Sequence, residues 1–216
     1  MAQSETVENI LDTAERLFAE KGFGETSLRM ITAKAGVNLA AVNYHFGSKE
    51  SLIQAVFARF LNPFTARVLE VLDEKEKTWS EDPEAEAPEL EELLRLVVYT
   101  AAEINDYDVR KSATFLRLLG LAYTQAQSHL RTYINNEYGV VFQRIVAIMQ
   151  QLCPNHSPQD FYWATHFALG ATIFTMSGID ALIAMYEEDF DKSIVVHEVV
   201  ERLVPFLAAG IRGVTK

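Results

Sequence analysis

At 216 residues, the chain is long enough to bury a core without disulfides, and 49% apolar, 11% aromatic and 23% charged residues exclude a disordered or fibrous protein. The single Cys153 excludes an intrachain disulfide and a multi-cysteine metal site. The formal charge of −11 argues against phosphate binding over a broad surface, but residues 1–50 carry only −2 of it and residues 51–216 carry −9, so any nucleic-acid contact must be local.

The N-terminus Met-Ala-Gln-Ser-Glu-Thr-Val-Glu has neither a basic n-region nor an apolar h-region, and polar residues interrupt every long apolar stretch within about 18 positions. A cytoplasmic protein without a membrane partner is expected. Every clearly periodic segment repeats at three- and four-residue spacing, and none alternates as a strand does, so the fold class is all-α. The first helix is predicted to start after Ser4, bury Val7, Ile10, Leu11, Ala14, Leu17 and Phe18, and stop at Gly22. Thr26 or Ser27 caps a second, which turns Leu28, Ile31 and Ala35 inward and ends at Gly36. A third runs from about Leu39 to His45, and Ser48 caps a fourth from Lys49 to about Lys77, with a kink or break at Pro63.

Residues 73–92 hold ten acidic side chains and two prolines, which read as a solvated connector. Further helices are expected at about 88–105, 108–126, 128–153, 158–188 and 194–212, with Asp108, Ser128, Ser157 and Ser193 or their neighbours as caps. About nine helices result, without the repeat period of a solenoid.

The second helix, the Gly36-Val37-Asn38 turn and the third helix have the spacing of a helix-turn-helix. A third helix of about seven residues is too short to stand alone in water and must be braced by its neighbours. In such a motif the second of the two helices enters the major groove, N-terminal residues first. Asn38, Ala40, Ala41 and Asn43 suit close approach, and an asparagine can bond adenine bidentately. Tyr44 and Lys49 are placed for phosphate oxygens, and the helix starts at Thr26-Ser27 and Ser48-Lys49 offer free amides to anions. By spacing alone, an interior hairpin with Tyr44-His45-Phe46 in the core fits equally well.

Residues 5–55 resemble the DNA-binding domain of the TetR family of bacterial regulators. The resemblance is carried by Thr26, Ala35-Gly36-Val37, Tyr44-His45-Phe46 and Ser48-Lys49-Glu50; Asn43 departs from it, standing where the family commonly has an aromatic residue. The resemblance implies a homodimer on a palindromic operator in double-stranded DNA, with Thr26, Ser27, Tyr44 and Lys49 on phosphates and His45 within the recognition segment. It also implies two domains: a three-helix DNA-binding domain at 1–50 and a helical ligand-binding and dimerisation domain at 51–216.

Residues 115–133, 161–185 and 203–212, together with the N-terminal AQSETVENIL and the stretch GVNLAAVNYHFGSK, are similar to the PsrA-like, fatty-acid-responsive subfamily, whereas residues 73–112 match it poorly. Long-chain fatty acids or their thioesters are the effectors this implies. Phe115, Leu118, Leu119, Tyr123, Phe142, Ile145, Met149, Phe167, Phe174 and Met176 offer enough apolar surface to line an acyl tunnel, although such stripes also build ordinary cores. Arg117, Gln125 and His166 are the candidates for a carboxylate head, against an ion pair for Arg117 and a core role for His166. An aromatic or drug-like effector is the alternative. Ala168, Gly170, Ala171, Gly178, Ala181 and Ala208-Ala209-Gly210 permit close helix approach, either across a dimer or within one subunit.

For an enzyme, the sequence offers no glycine-rich phosphate loop, nucleophile elbow or His-Glu-x-x-His pair. His129, His156, His166 and His197 share no ligand spacing, so neither metal nor cofactor is called for.

Overall fold

The computed structural model describes residues 2–81, 89–103, 109–125 and 127–214. These form ten α-helices and no strand. The chain opens with α1 (Ala2–Glu25), which starts ahead of Ser4, so Ser4 lies inside the helix rather than capping it. The first helical run of α1 stops at Gly22 as predicted, and a second short run follows the kink there: the φ of 81° and ψ of 168° belong to a region that a residue with a Cβ rarely enters. Helix α2 (Leu28–Ala35) starts on Ser27, whose hydroxyl accepts from the Met30 amide, and stops at Gly36 in the left-handed conformation. Helix α3 (Leu39–Phe46) is followed by α4 (Lys49–Glu81), and the Ser48 hydroxyl accepts from the Ser51 amide at 3.0 Å.

The fourth helix is the axis of the molecule. Its 33 residues reach about 50 Å, and it continues through Pro63 without the predicted break. One side of α4 closes the N-terminal core, where Leu52, Ile53, Val56 and Phe57 join Ile10, Ala14, Phe18, Ile31 and Val42, each at most 2% exposed. Farther along, Phe60, Phe64, Val68 and Leu72 pack into the C-terminal core. The helix also runs into the acidic stretch expected to be a connector. Residues 73–81 are helical, since Asp73 and Glu76 pair with Arg144 at 2.7 and 2.8 Å and Lys75 lies 3.8 Å from Glu92. The remainder of that stretch up to 88 lies outside the described residues, as does the Asp108 cap.

The C-terminal part comprises α5 (Leu90–Glu103), α6 (Val109–Thr124), α7 (Ser128–Leu152), α8 (Pro158–Ser177), α9 (Ile179–Phe190) and α10 (Val196–Gly213). Helix α6 packs between α1 and α8, α10 against α5 and α8, and α4 against α7. Gly120 lets α6 and α8 close up, because a Cβ there would sit 3.1 Å from Ile173 Cγ2. Ser157 caps α8 as expected, accepting from the Asp160 amide. Ser128 begins α7 rather than capping it, and α10 starts on Val195, whose amide donates to the Glu198 carboxylate; Ser193 is not its cap. The single helix predicted at 158–188 divides at Gly178, where the chain bends by 71°. Among the described residues no single helix is long and apolar enough to cross a membrane, and the bent α8–α9 pair meets that test only jointly.

Seven phenylalanine rings run from the N-terminal core into the C-terminal one. Phe18 meets Phe23 at 5.4 Å, Phe23 meets Phe57 at 6.3 Å and Phe57 meets Phe115 at 5.4 Å. Phe115 stacks on Phe60 at 3.6 Å, and the file continues through Phe64 to Phe142.

Candidate nucleic-acid interface and effector region

Helix α3 is held from one side only. Val42 is fully buried, and Val37 and Phe46 pack partly against the N-terminal core, which anchors the short helix from below. The Asn38 side chain accepts from the Ala41 amide at 2.8 Å and caps its start. Along the other side, Ala40 and Asn43 face solvent and Tyr44 is 76% exposed. The interior-hairpin alternative therefore fails for Tyr44, while His45 and Phe46 are half-buried beside it, the Tyr44 and His45 rings meeting edge-on at 5.0 Å.

The other predicted contact residues divide. Ser27 is exposed beside the start of α2, and Lys49 is half-buried at the start of α4. Thr26 requires a correction: it is 0% exposed, and its hydroxyl donates to the carbonyls of Gly22 at 2.9 Å and Leu17 at 3.1 Å. That side chain closes the break in α1 and has no donor left for a phosphate. Asn38 is corrected in part, because its carbonyl oxygen is committed to the cap and a bidentate bond to adenine would require releasing it. Sequence reasoning passed over Arg29 and Lys34, two exposed cations on α2 with no ion-pair partner among the described residues. Their signal was their position as the only basic residues of that helix.

Local charge also changes once the chain is folded. Arg59 of α4 lies 3.2 Å from Glu8, 2.7 Å from Asp12 and 3.5 Å from Glu15, along one face of α1. Its single positive charge, shared among three carboxylates, thereby offsets one of the negative charges of the opening segment.

In the C-terminal region, Phe115, Leu118, Met149 and Met176 are buried, and Leu119 and Phe142 are half-buried beside them. Helices α4, α6 and α7 supply most of this interior. Four predicted lining residues point elsewhere: Arg117 is exposed, and Tyr123, Phe167 and Phe174 are 52%, 59% and 72% exposed. The cause is helical phase: Phe167 and Phe174 share the outer face of α8 with Trp163, which stacks on Phe167 at 5.7 Å, while Phe161, Ala164 and Met176 take the inner face. His166 donates its Nδ1 proton to the Tyr162 carbonyl at 2.7 Å and lies between the Tyr162 and Tyr123 rings. Gln125 is engaged with the Phe23 amide.

The polar groups of this interior were not foreseen. Tyr138, only 7% exposed, donates its hydroxyl to Asn62 Oδ1 at 2.7 Å, with the Tyr133 hydroxyl 3.4 Å away. Burial first, and then the Tyr133 hydroxyl, push the Tyr138 phenol well above its ordinary pKa, so it stays a neutral donor at physiological pH. Asn62 precedes Pro63, and no local sequence signal links it to a tyrosine 76 positions on. Among the described residues no group of three or more His, Cys, Asp or Glu is placed to hold a metal ion.

Comparison with known proteins agrees with this geometry. Residues 10–56 match the family model for bacterial regulatory proteins of the tetR family, and residues 95–210 match that for the tetracyclin repressor-like C-terminal domain. The HTH-type transcriptional repressor KstR2 of Rhodococcus jostii is 35% identical over 63 residues, which cover 29% of this chain and 31% of that protein. The match to such curated relatives thus spans about a third of their length. A TetR-like transcriptional regulator from Rhodococcus sp. RHA1 superposes with a TM-score of 0.59 at 21% identity, over 96% of both chains. FadR from Bacillus subtilis, solved in complex with stearoyl-CoA, gives 0.57 at 18% identity, over 94% of this chain and 98% of that one. At those identities the likeness is one of fold. With a family match covering more than half of its length, the chain belongs to the TetR family of transcriptional regulators.

Proposed function

We propose that the protein is a cytoplasmic homodimeric repressor that reads a palindromic operator with α3, and that a long-chain fatty acid or its thioester releases it from genes of lipid metabolism. In this reading residues 1–50 bind DNA and residues 51–216 bind the effector and the second subunit. The observation that carries it is α3 itself: capped at Asn38, anchored by the buried Val42, and presenting Ala40, Asn43 and Tyr44 to solvent. Ala40 and Asn43 then face base edges, while Ser27, Tyr44, His45 and Lys49 meet the backbone, joined by Arg29 and Lys34. The KstR2 relative's name supports repression, and the FadR complex supports an acyl effector.

The effector lies in this reading along Phe115, Leu118, Leu119, Phe142, Met149 and Met176. Its polar head is read by the Tyr133 hydroxyl, and by the neutral Tyr138 hydroxyl once that gives up its bond to Asn62, not by the exposed Arg117. A flat aromatic effector is the second reading, favoured by the stacked Phe60 and Phe115 rings.

The test joins DNA and effector. Alanine at Lys49 lowers affinity for every duplex similarly and reduces the slope of log K against log salt by about 1, while alanine at Asn43 alters sequence preference. Stearoyl-CoA added to the protein–operator complex lowers operator affinity, and native mass spectrometry shows a bound acyl species. Two variants indistinguishable from the natural protein in gel shift would contradict the assignment of α3. Displacement by flat aromatic compounds and not by stearoyl-CoA would favour the second reading.

A further inference from the structure

At Gly22 the α1 backbone leaves the helical region, so the amide of Phe23 has no helical acceptor four residues back. A side chain 102 positions away replaces it: Gln125 Oε1 accepts from Phe23 N at 3.0 Å. The two surfaces are fitted to each other, since a Cβ on Gly22 would stand 2.5 Å from Gln125 Nε2. Gln125 follows directly on the last residue of α6, and its own amide still donates to the Leu121 carbonyl at 2.8 Å, so its backbone moves with that helix. On the other side of the same break, the Thr26 hydroxyl holds the Gly22 and Leu17 carbonyls, and Ser27 starts α2 immediately afterwards. The ring of Phe23 meets α6 a second time, through Phe57 to Phe115.

We propose that Gln125 is a positioning residue that couples α6 to the reading head by completing the break in α1, so that a shift of α6 is delivered to the start of α2. The inference rests on the reading of α2 and α3 as the duplex-binding element. Helix α6 lines the interior assigned to the effector, and whatever enters there displaces the helix that carries both Phe115 and Gln125. The head has then to follow, or the bond to Phe23 has to open. Coupling of this kind is reciprocal, so a duplex held by α3 must tighten the last turn of α6.

Amide hydrogen exchange by NMR on the full-length protein tests this, with and without random-sequence duplex DNA at low ionic strength. Q125M keeps the side chain's size and loses the acceptor, and Q125E keeps the acceptor. In Q125M the Phe23 amide exchanges about tenfold faster, the effect of losing one ordinary hydrogen bond. In the natural chain and in Q125E the duplex slows exchange over residues 121–124, and in Q125M that slowing disappears while duplex affinity stays within about tenfold. Unchanged exchange at Phe23 in Q125M, or slowing that persists there, would overturn the coupling and leave the regulatory reading standing. Failure of the natural chain to bind any duplex would sink the regulatory reading, and the coupling with it.

Discussion

Thr26 shows what one side chain can and cannot disclose. Its place before a short helix fits both a cap and a phosphate contact, and the structure gives it neither role: Ser27 is the cap, and the Thr26 hydroxyl is spent on two carbonyls at the α1 break. Replacing it with valine keeps the shape and strands those carbonyls, so thermal or urea unfolding should show a loss of about 1–3 kcal/mol. The salt dependence of duplex binding should stay unchanged, since no phosphate contact is removed; a flatter salt slope for Thr26→Val would restore the phosphate role. The caps at Ser27, Ser48 and Ser157 and the stop at Gly36 were legible because each is settled within four residues. Thr26, Gln125 and Asn62 were not, because their partners lie on other turns or other helices.

At the scale of elements, eight of the ten helices stand as separate segments in the sequence, and the break at Gly178 is hidden because the apolar run of α8 continues into α9 across a single glycine. The acidic stretch misled in the opposite way: a run of carboxylates reads as unpaired only until Arg144 is brought beside Asp73 and Glu76. The same long-range pairing fastens α5 to α10. Arg95 and Tyr99 bind Glu201 at 3.0 and 2.8 Å, and Arg212 binds Glu91 at 2.6 Å. The hydrogen bond from Arg212 holds the Glu91 carboxyl below its ordinary pKa, and those from Arg95 and then Tyr99 do the same for Glu201. A folded-state value below the unfolded one gives a contribution present in full above the ordinary carboxylate range and lost as pH falls through the depressed values. The melting temperature should therefore fall between mildly acidic pH and pH of about 3 more steeply than in a protein carrying Arg95→Met and Arg212→Met. Both carboxylates are only half-buried, so solvent still screens them, which keeps the difference to a few degrees at most. Parallel curves would show that the clasp contributes nothing.

For the whole molecule, the family and the all-α class were readable from the α2–α3 spacing and the Tyr44-His45-Phe46 stretch, whereas the inward and outward faces of α8 required coordinates. Of the small residues expected at the subunit boundary, Ala208 is fully buried in its own subunit and Ala168 and Ala171 pack on the same core. Gly170, Ala209 and Gly210 stay exposed, and beside them Trp163, Phe167 and Phe174 on α8 and Phe206 on α10 are each more than half exposed. A second copy of the chain fits that apolar surface in the proposed dimer. Aspartate at Phe174 should shift the protein to monomer in analytical ultracentrifugation and weaken operator binding at least tenfold while leaving helicity unchanged, and a variant that stayed dimeric would place the boundary elsewhere. Helix α4 carries residues of both cores on one unbroken rod, Phe57 near its start and Leu72 near its end. No slack joins the two halves, so any splice between this head and another regulator's body must keep rotational phase: one residue inserted after Asn62 would swing one half about the rod by about 100° and aim its groove-reading surface away from the duplex.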